Sequence, residues 1–190
     1  MSDVAYADEH RFTYADYKDW ELKPGERYEL IDGVAYAMAA PNIRHQRISM
    51  YLSGEFSAFL KGKRCEVFAA PVDVRLFYEE DESDETVVQP DLIVVCDPRK
   101  LGEEGCRGAP DMVIEILSPS NSAIEMERKL ELYRDAGVQE YWIVDPKNKH
   151  VRAYSLKDGQ YTMRTFYLDE SAVSEVLPGL EIPLTDMFAE

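Results

Sequence analysis

The feature that most constrains the fold is the apolar run from Met112 to Leu117, which Glu115 alone interrupts. A strand with one face in water alternates apolar and polar residues, whereas a continuous apolar run is typical of a strand covered on both faces. The run therefore predicts an α/β domain whose sheet, a mixed one of the α+β kind, is covered on both faces.

Two Asp-Gly pairs, at Asp32-Gly33 and Asp158-Gly159, each lie between two runs with strand character. This dipeptide tolerates the positive φ angles of a two-residue hairpin turn. We therefore predict one hairpin in front of the core and another behind it. Their strands are predicted over residues 27–31 and 34–38, and over 149–156 and 160–167.

Between the hairpins, the apolar spacing predicts a core in the order helix, strand, strand, strand, helix, strand. The first helix follows Pro41, is capped by Asn42 and stops at Gly62, and the second runs from about residue 123 to 135. The strands are predicted over residues 67–77, 87–95, 112–117 and 139–144. A short helix is predicted over 13–20, loops over 79–86 and 97–109, and a turn and cap over 118–121.

The length of 190 residues and the lack of repeats or linkers predict one domain, with a loosely held polar tail over residues 1–12. The acidic run over 79–86 is read as a solvated loop. The net charge of −16 repels phosphate at long range and counts against DNA as a substrate, although a local basic groove could coexist with it.

Three cysteines, Cys65, Cys96 and Cys106, show no zinc or redox spacing, and their number is odd. They are interpreted as buried or incidental thiols in a reducing compartment. The N-terminal segment lacks a signal peptide, and no apolar stretch is long enough to span a membrane. These features predict a soluble, cytoplasmic protein without a membrane partner.

Two carboxylates in the predicted core strands are candidate metal ligands. Glu115 lies in a strand covered on both faces, where a carboxylate is costly unless it is paired, protonated or metal-bound. Asp91 follows Pro90 at the entry to the preceding strand. Alone, Asp91 would be read as a turn acid and Glu115 equally well as a strand-end residue; together they suit Mg²⁺ or Mn²⁺.

Lys129 is the third candidate, because it lies at the edge of the apolar stripe of the second helix. The structural alternative is a surface pair with Glu125, one turn earlier. Two carboxylates can hold a hard cation that polarises a phosphodiester and activates water. A lysine beside them can position that water or stabilise the developing negative charge.

At these residues the sequence resembles the Uma2 family of the PD-(D/E)XK nuclease superfamily, over roughly residues 25–155. The resemblance implies a restriction endonuclease-like fold, with Asp91 in the "PD" half-motif and Glu115 as the second acid. The superfamily lysine would fall at Leu117, and Lys129 matches members in which it has moved to the next helix. The segments that carry the resemblance are Tyr28–Gly33, Pro41 with His45-Gln46, Pro71–Val74, Gln89–Val95, Ala109–Pro119, Lys129 with Tyr133, and Ala136–Pro146.

His45 and Asp73 are secondary site candidates. His45 matches a histidine at the start of a helix in the family, but a histidine on an apolar helix face is more often packed than functional. Asp73 alternates with Val72 and Val74, so it either joins the acid cluster or faces solvent.

Three functions stay open from the sequence. The first is a magnesium-dependent endonuclease acting on DNA, and the second is a catalytically inactive module that kept the nuclease fold for binding or assembly. A hydrolase of another phosphate substrate is a weaker third. An intact trio in one cavity would favour the first, whereas a salt-bridged, occluded Lys129 would favour the second. A homodimer is common for this fold, although the sequence shows no interface signature.

Overall fold

The computed structural model describes residues 11–118 and 123–189, and within them the chain forms four α-helices and fourteen β-strands. The helices are α1 (Tyr14–Tyr17), α2 (Ile43–Leu60), α3 (Ala123–Ala136) and α4 (Leu184–Met187). The strands are β1 (Tyr28–Ile31), β2 (Val34–Ala37), β3 (Glu66–Ala69), β4 (Asp73–Arg75), β5 (Val87–Val88), β6 (Leu92–Val95), β7 (Leu101–Gly102), β8 (Gly105–Arg107), β9 (Met112–Ile116), β10 (Glu140–Asp145), β11 (His150–Lys157), β12 (Gln160–Phe166), β13 (Ser171–Val173) and β14 (Glu181–Pro183).

The central sheet has the strand order β12-β11-β10-β9-β6-β3, with β9 and β10 parallel. One face packs against α2 and the C-terminal segment, and β9 contributes Met112, Ile114 and Ile116 to this core. Val113 points into a second core on the opposite face, which α3 covers through Leu132 and Tyr133. The predicted double coverage of this strand is therefore confirmed, and Glu115 shares its face with Val113.

A second six-stranded sheet has the order β2-β1-β5-β4-β8-β7. Val74 and Val88 from this sheet share a core with Ile93 and Val113 of the central sheet. At Gly105 the chain passes so close to β4 that an added Cβ would lie 2.2 Å from the backbone oxygen of Asp73. Only glycine allows this approach, which holds β8 beside β4.

The predicted extents of two strands were wrong. Residues 67–77 divide into β3 and β4, and residues 87–95 divide into β5 and β6, with one part of each in each sheet. Pro71 and Pro90 lie at the two crossings, where a residue without an N–H cannot continue a ladder. The core order α2, β3, β6, β9, α3, β10 still matches the predicted order of helices and strands.

Both predicted hairpins are confirmed as β1–β2 and β11–β12. Asp32 and Gly33 have φ angles of 50° and 73°, as a type I′ turn requires. The cap of α2 is also confirmed, since the backbone N–H of His45 donates to Asn42 Oδ1 at 2.9 Å. Helix α1 is shorter than predicted and ends at Tyr17.

Two predicted loops contain more structure than expected. The acidic run over 79–86 is not uniformly solvated, because Asp84 is buried against Arg75. The segment 97–109 holds a 3₁₀ turn (Pro98–Lys100) and the strands β7 and β8. Most of the polar tail (residues 1–10) and the predicted turn at 119–121 lie outside the described residues.

The interpretation of all three cysteines as thiols was wrong. Cys65 and Cys96 form a disulfide that joins the ends of the paired strands β3 and β6. Cys106 is a buried free cysteine, and burial raises the pKa of its thiol to about 11. The inference of a reducing compartment therefore loses its basis. Within the described ranges, no helix is long and apolar enough to cross a membrane.

Candidate active site

Asp91 lies at the entry to β6, and its side chain is held from two directions. The backbone N–H of Ile116, at the end of β9, donates to Asp91 Oδ2 at 2.7 Å. His45 Nε2, on the first turn of α2, donates to the same oxygen at 3.0 Å. His45 thus reaches the site through Asp91, and its Nδ1 is buried without a hydrogen-bond partner among the described residues.

Lys129 of α3 lies between two carboxylates from different sheets. Its Nζ is 2.8 Å from Glu115 Oε1 in β9 and 3.0 Å from Glu29 Oε1 in β1. The hydroxyl of Tyr133, one helical turn further along α3, donates to Glu115 Oε1 at 2.8 Å. The Lys129 and Glu29 side chains are only 7% and 6% exposed, so this ion pair is almost sealed from water.

Burial and neighbouring charges both shift the pKa values of Glu115 and Lys129. Burial raises the pKa of Glu115 to about 7; the negative charges of Asp91 and Glu29 add to the rise, and Lys129 opposes it. Burial alone would lower the pKa of Lys129, but Glu115 and Glu29 outweigh it and raise the pKa above its ordinary value. Lys129 therefore stays protonated, while Glu115 loses its proton less readily than an exposed carboxyl.

Residues 14–185 match the model of the Uma2 family, which is described as "Putative restriction endonuclease". This chain belongs to the Uma2 family. The match covers both carboxylates, the lysine, His45 and Glu29, and the helix and strand order described above is the restriction endonuclease-like fold of that family.

Two proteins and one solved structure are similar to this chain. Two uncharacterized Synechocystis proteins, slr1290 and sll1609, are 30% and 26% identical over 144 and 166 residues. These alignments cover 75% and 86% of this chain, and 73% and 91% of the relatives. A crystal structure from Anabaena variabilis, described as "a putative nuclease belonging to DUF820", is similar with a TM-score of 0.73. It is 22% identical and covers 93% of this chain and 97% of its own, which supports the fold.

The geometry brings Glu115 and Lys129 into direct contact. His45 contacts Asp91, and Asp91 lies close enough to Glu115 to influence its pKa. Asp73 was expected either to join the acid cluster or to face solvent, and its position differs from both. It is partly buried and accepts hydrogen bonds from Gln89 Nε2 at 2.8 Å and from the Tyr17 hydroxyl at 3.1 Å. Burial raises its pKa, and Gln89 connects it to the cluster, since the Gln89 backbone N–H donates to Glu29.

Glu29 is a residue of this cluster that the sequence reasoning missed. It is 5% exposed, and its Oε1 accepts hydrogen bonds from Lys129 Nζ and from the backbone N–H of Gln89, each at 3.0 Å. The signal that singled out Glu115, an acid inside a predicted strand, was present here too. Glu29 also falls in a segment that carries the Uma2 resemblance.

The donor set of this Uma2 site fits a hard divalent cation. Within the described residues there is no ready-made group of three or more metal-binding His, Cys, Asp or Glu side chains. Mg²⁺ does not need one, because it is commonly held by one or two carboxylates together with waters and substrate phosphate. The hydrogen bonds described for Asp91 and Glu115 use Oδ2 and Oε1, which leaves Oδ1 and Oε2 to such an ion.

Proposed function

We propose that this Uma2 protein is a metal-dependent endonuclease that hydrolyses DNA phosphodiester bonds. Asp91 and Glu115 would hold Mg²⁺ or Mn²⁺, and Lys129 would position the attacking water or stabilise the developing negative charge. The observation that carries this proposal is an imbalance of charge. The ammonium of Lys129 contacts the carboxylates of Glu29 and Glu115, and the charge of Asp91 acts on Glu115 from nearby, so the cluster holds more acids than cations where a divalent cation would be stabilised.

The protein side chains have separate tasks in this mechanism. The Ile116 N–H and His45 fix Asp91, and Tyr133 fixes Glu115, so each carboxylate is held in one orientation. A bound divalent cation supplies Lewis acidity toward the phosphodiester and lowers the pKa of a coordinated water. The ammonium of Lys129 supplies hydrogen bonds toward negative charge that develops on the phosphate oxygens.

A metal titration tests the proposal. We expect calorimetry to detect Mg²⁺ or Mn²⁺ binding to the wild-type protein and no comparable binding to Glu115→Ala, because that variant lacks one of two ligands. The exposed Glu127→Ala in α3 is the matched control and should bind like wild type. Purified protein that binds neither ion, or that binds it equally well after Glu115→Ala, would remove the basis for a metal-dependent nuclease.

Two arginines on the helix that carries His45 support a phosphate-bearing substrate despite the overall charge of −16. Arg44 and Arg47 flank His45 on the first turns of α2 and are both exposed. They line a small cavity of about 100 Å³ with Ile48 and the end of α4, and no carboxylate is among the described residues that line it. This is a local basic surface on the same turns of α2 that carry His45.

Replacing Arg44 and Arg47 by alanine should therefore weaken DNA binding about equally for all sequences. Each lost phosphate contact should reduce the slope of log affinity against log salt by about 1. Fluorescence anisotropy with labelled DNA in metal-free buffer, at several salt concentrations, measures this without cutting. Arg164→Ala on β12 is the control, since it removes an exposed arginine that lies outside α2 and should leave the salt slope unchanged. An unchanged salt slope in the double variant would place the DNA elsewhere.

One observation favours the second function, a non-catalytic binding or assembly module. Lys129 is salt-bridged and only 5% exposed, which is the arrangement expected if the lysine serves the fold rather than a reaction. The two functions differ in a measurable way, since an inactive module needs neither cation binding nor DNA cutting. The homodimer and the cytoplasmic location stay predictions.

A further inference from the structure

Glu29 is a second carboxylate partner of Lys129, beside the proposed metal ligand Glu115. Glu115 belongs to the central sheet and Glu29 to the second sheet, and both contact the same ammonium. The Glu29 and Lys129 side chains are 6% and 7% exposed, whereas Glu115 is 13% exposed. Of the two acids, Glu29 is therefore the more deeply placed partner of the lysine.

Glu29 is also anchored independently of Lys129. The backbone N–H of Gln89 donates to its Oε1, and the Gln89 side chain is tied in turn to Asp73 and Tyr17. Because Gln89 precedes Pro90 and Asp91, the same short segment carries both the anchor of Glu29 and one proposed metal ligand. The positions of Glu29 and Asp91 are thus coupled through this segment.

We propose that Glu29 is a positioning residue that keeps the Lys129 ammonium in the site when Glu115 binds the divalent cation, an inference that rests on the function proposed above. A divalent cation on Glu115 would neutralise part of the negative charge that attracts Lys129. It would also repel the ammonium directly. Glu29 then remains as the carboxylate partner of Lys129. Without it, cation and ammonium compete for Glu115 alone.

The first expected result concerns metal affinity. Glu29→Gln should weaken Mg²⁺ binding in calorimetry by about 10- to 100-fold, the range found for outer-shell partners of metal sites. Lys129→Met should bind Mg²⁺ at least as tightly as wild type, because it removes the competing cation. Glu26→Gln, an exposed acid three residues earlier, is the matched control and should leave the affinity unchanged.

A double-mutant cycle separates a positioning role from direct ligation. If Glu29 acts through Lys129, adding Glu29→Gln to Lys129→Met should change Mg²⁺ affinity by less than about twofold. If Glu29 itself binds the cation, the loss should be as large as in the wild-type background, and the proposal is overturned. Should Glu29→Gln not fold, Glu29→Asp keeps the charge, withdraws it by one methylene and should give a smaller loss in the same direction.

Cutting kinetics at saturating Mg²⁺ supply a second readout. Glu29→Gln should lower kcat by about 10- to 100-fold with little change in KM, because Lys129 acts on charge that develops during the reaction. Glu29→Asp should recover part of kcat. If wild type binds no Mg²⁺, the proposed nuclease function fails and this inference with it; if wild type binds and Glu29→Gln binds equally well, only the role of Glu29 is wrong.

Discussion

Glu115→Gln is expected to reduce Mg²⁺-dependent DNA cutting by at least about 100-fold, the size of effect seen when one group that stabilises a transition state is lost. The amide is nearly the same shape as the carboxylate but carries no charge. It would therefore keep the packing against Tyr133 while losing the cation ligand and the ion pair with Lys129. The measurement is the initial rate of plasmid cutting with Mg²⁺ or Mn²⁺, and with EDTA as the metal-free reference.

Glu66→Gln provides the control for this result, since Glu66 is an exposed acid on β3 of the same sheet. It should cut DNA at the wild-type rate after an identical purification. Equal cutting by Glu115→Gln and wild type would show that the activity comes from another site or from a contaminating nuclease.

Asp84→Ala is expected to lower the free energy of unfolding by about 3–5 kcal/mol, the cost of removing one partner of a buried ion pair. The Asp84 side chain is fully buried and that of Arg75 is 8% exposed. Arg75 Nε donates to Asp84 Oδ2 at 2.9 Å, and a second bond joins Arg75 Nη2 to Asp84 Oδ1. The substitution would leave the Arg75 guanidinium buried beside the Tyr14 ring without its carboxylate.

Urea denaturation followed by circular dichroism measures this loss. Asp81→Ala in the same acidic segment is the control: Asp81 is exposed and accepts hydrogen bonds from its neighbour Ser83, so the change should stay within about 0.5 kcal/mol. A similar small loss for both variants would mean that the buried pair contributes no more than a surface acid.

Local patterns predicted the elements that depend on local chemistry. The Asp-Gly turns, the Asn42 cap and the double coverage of β9 are each set by a few neighbouring residues. The division of two predicted strands between two sheets was missed, because apolar residues recur on both sides of Pro71 and Pro90, so that each run was taken as one strand. Periodicity does not distinguish one sheet from another.

The residues of the candidate site also differ in how far local sequence could predict them. Glu115 could be found because a charge inside an apolar strand is costly wherever the strand lies. Lys129 was expected near it, but its second partner Glu29 lies 100 residues away along the chain. No spacing rule connects two residues at that separation. Asp84 escaped notice for a related reason: in sequence it is one acid among several, and only packing shows that Arg75 needs it.

The division of the site between two sheets affects how variants of this protein should be read. Glu29 comes from the second sheet and Glu115 from the central sheet, so Lys129 bridges the interface between these two layers. This interface, here called the seam, also contains Val74, Val88 and Ile93. A substitution in this seam that tilts one layer slightly would separate the acids from the ammonium while both layers stay folded. Inactivity in a well-folded variant is therefore evidence of misaligned acids and ammonium as readily as of a missing chemical group. A screen for activity alone would count seam residues as catalytic.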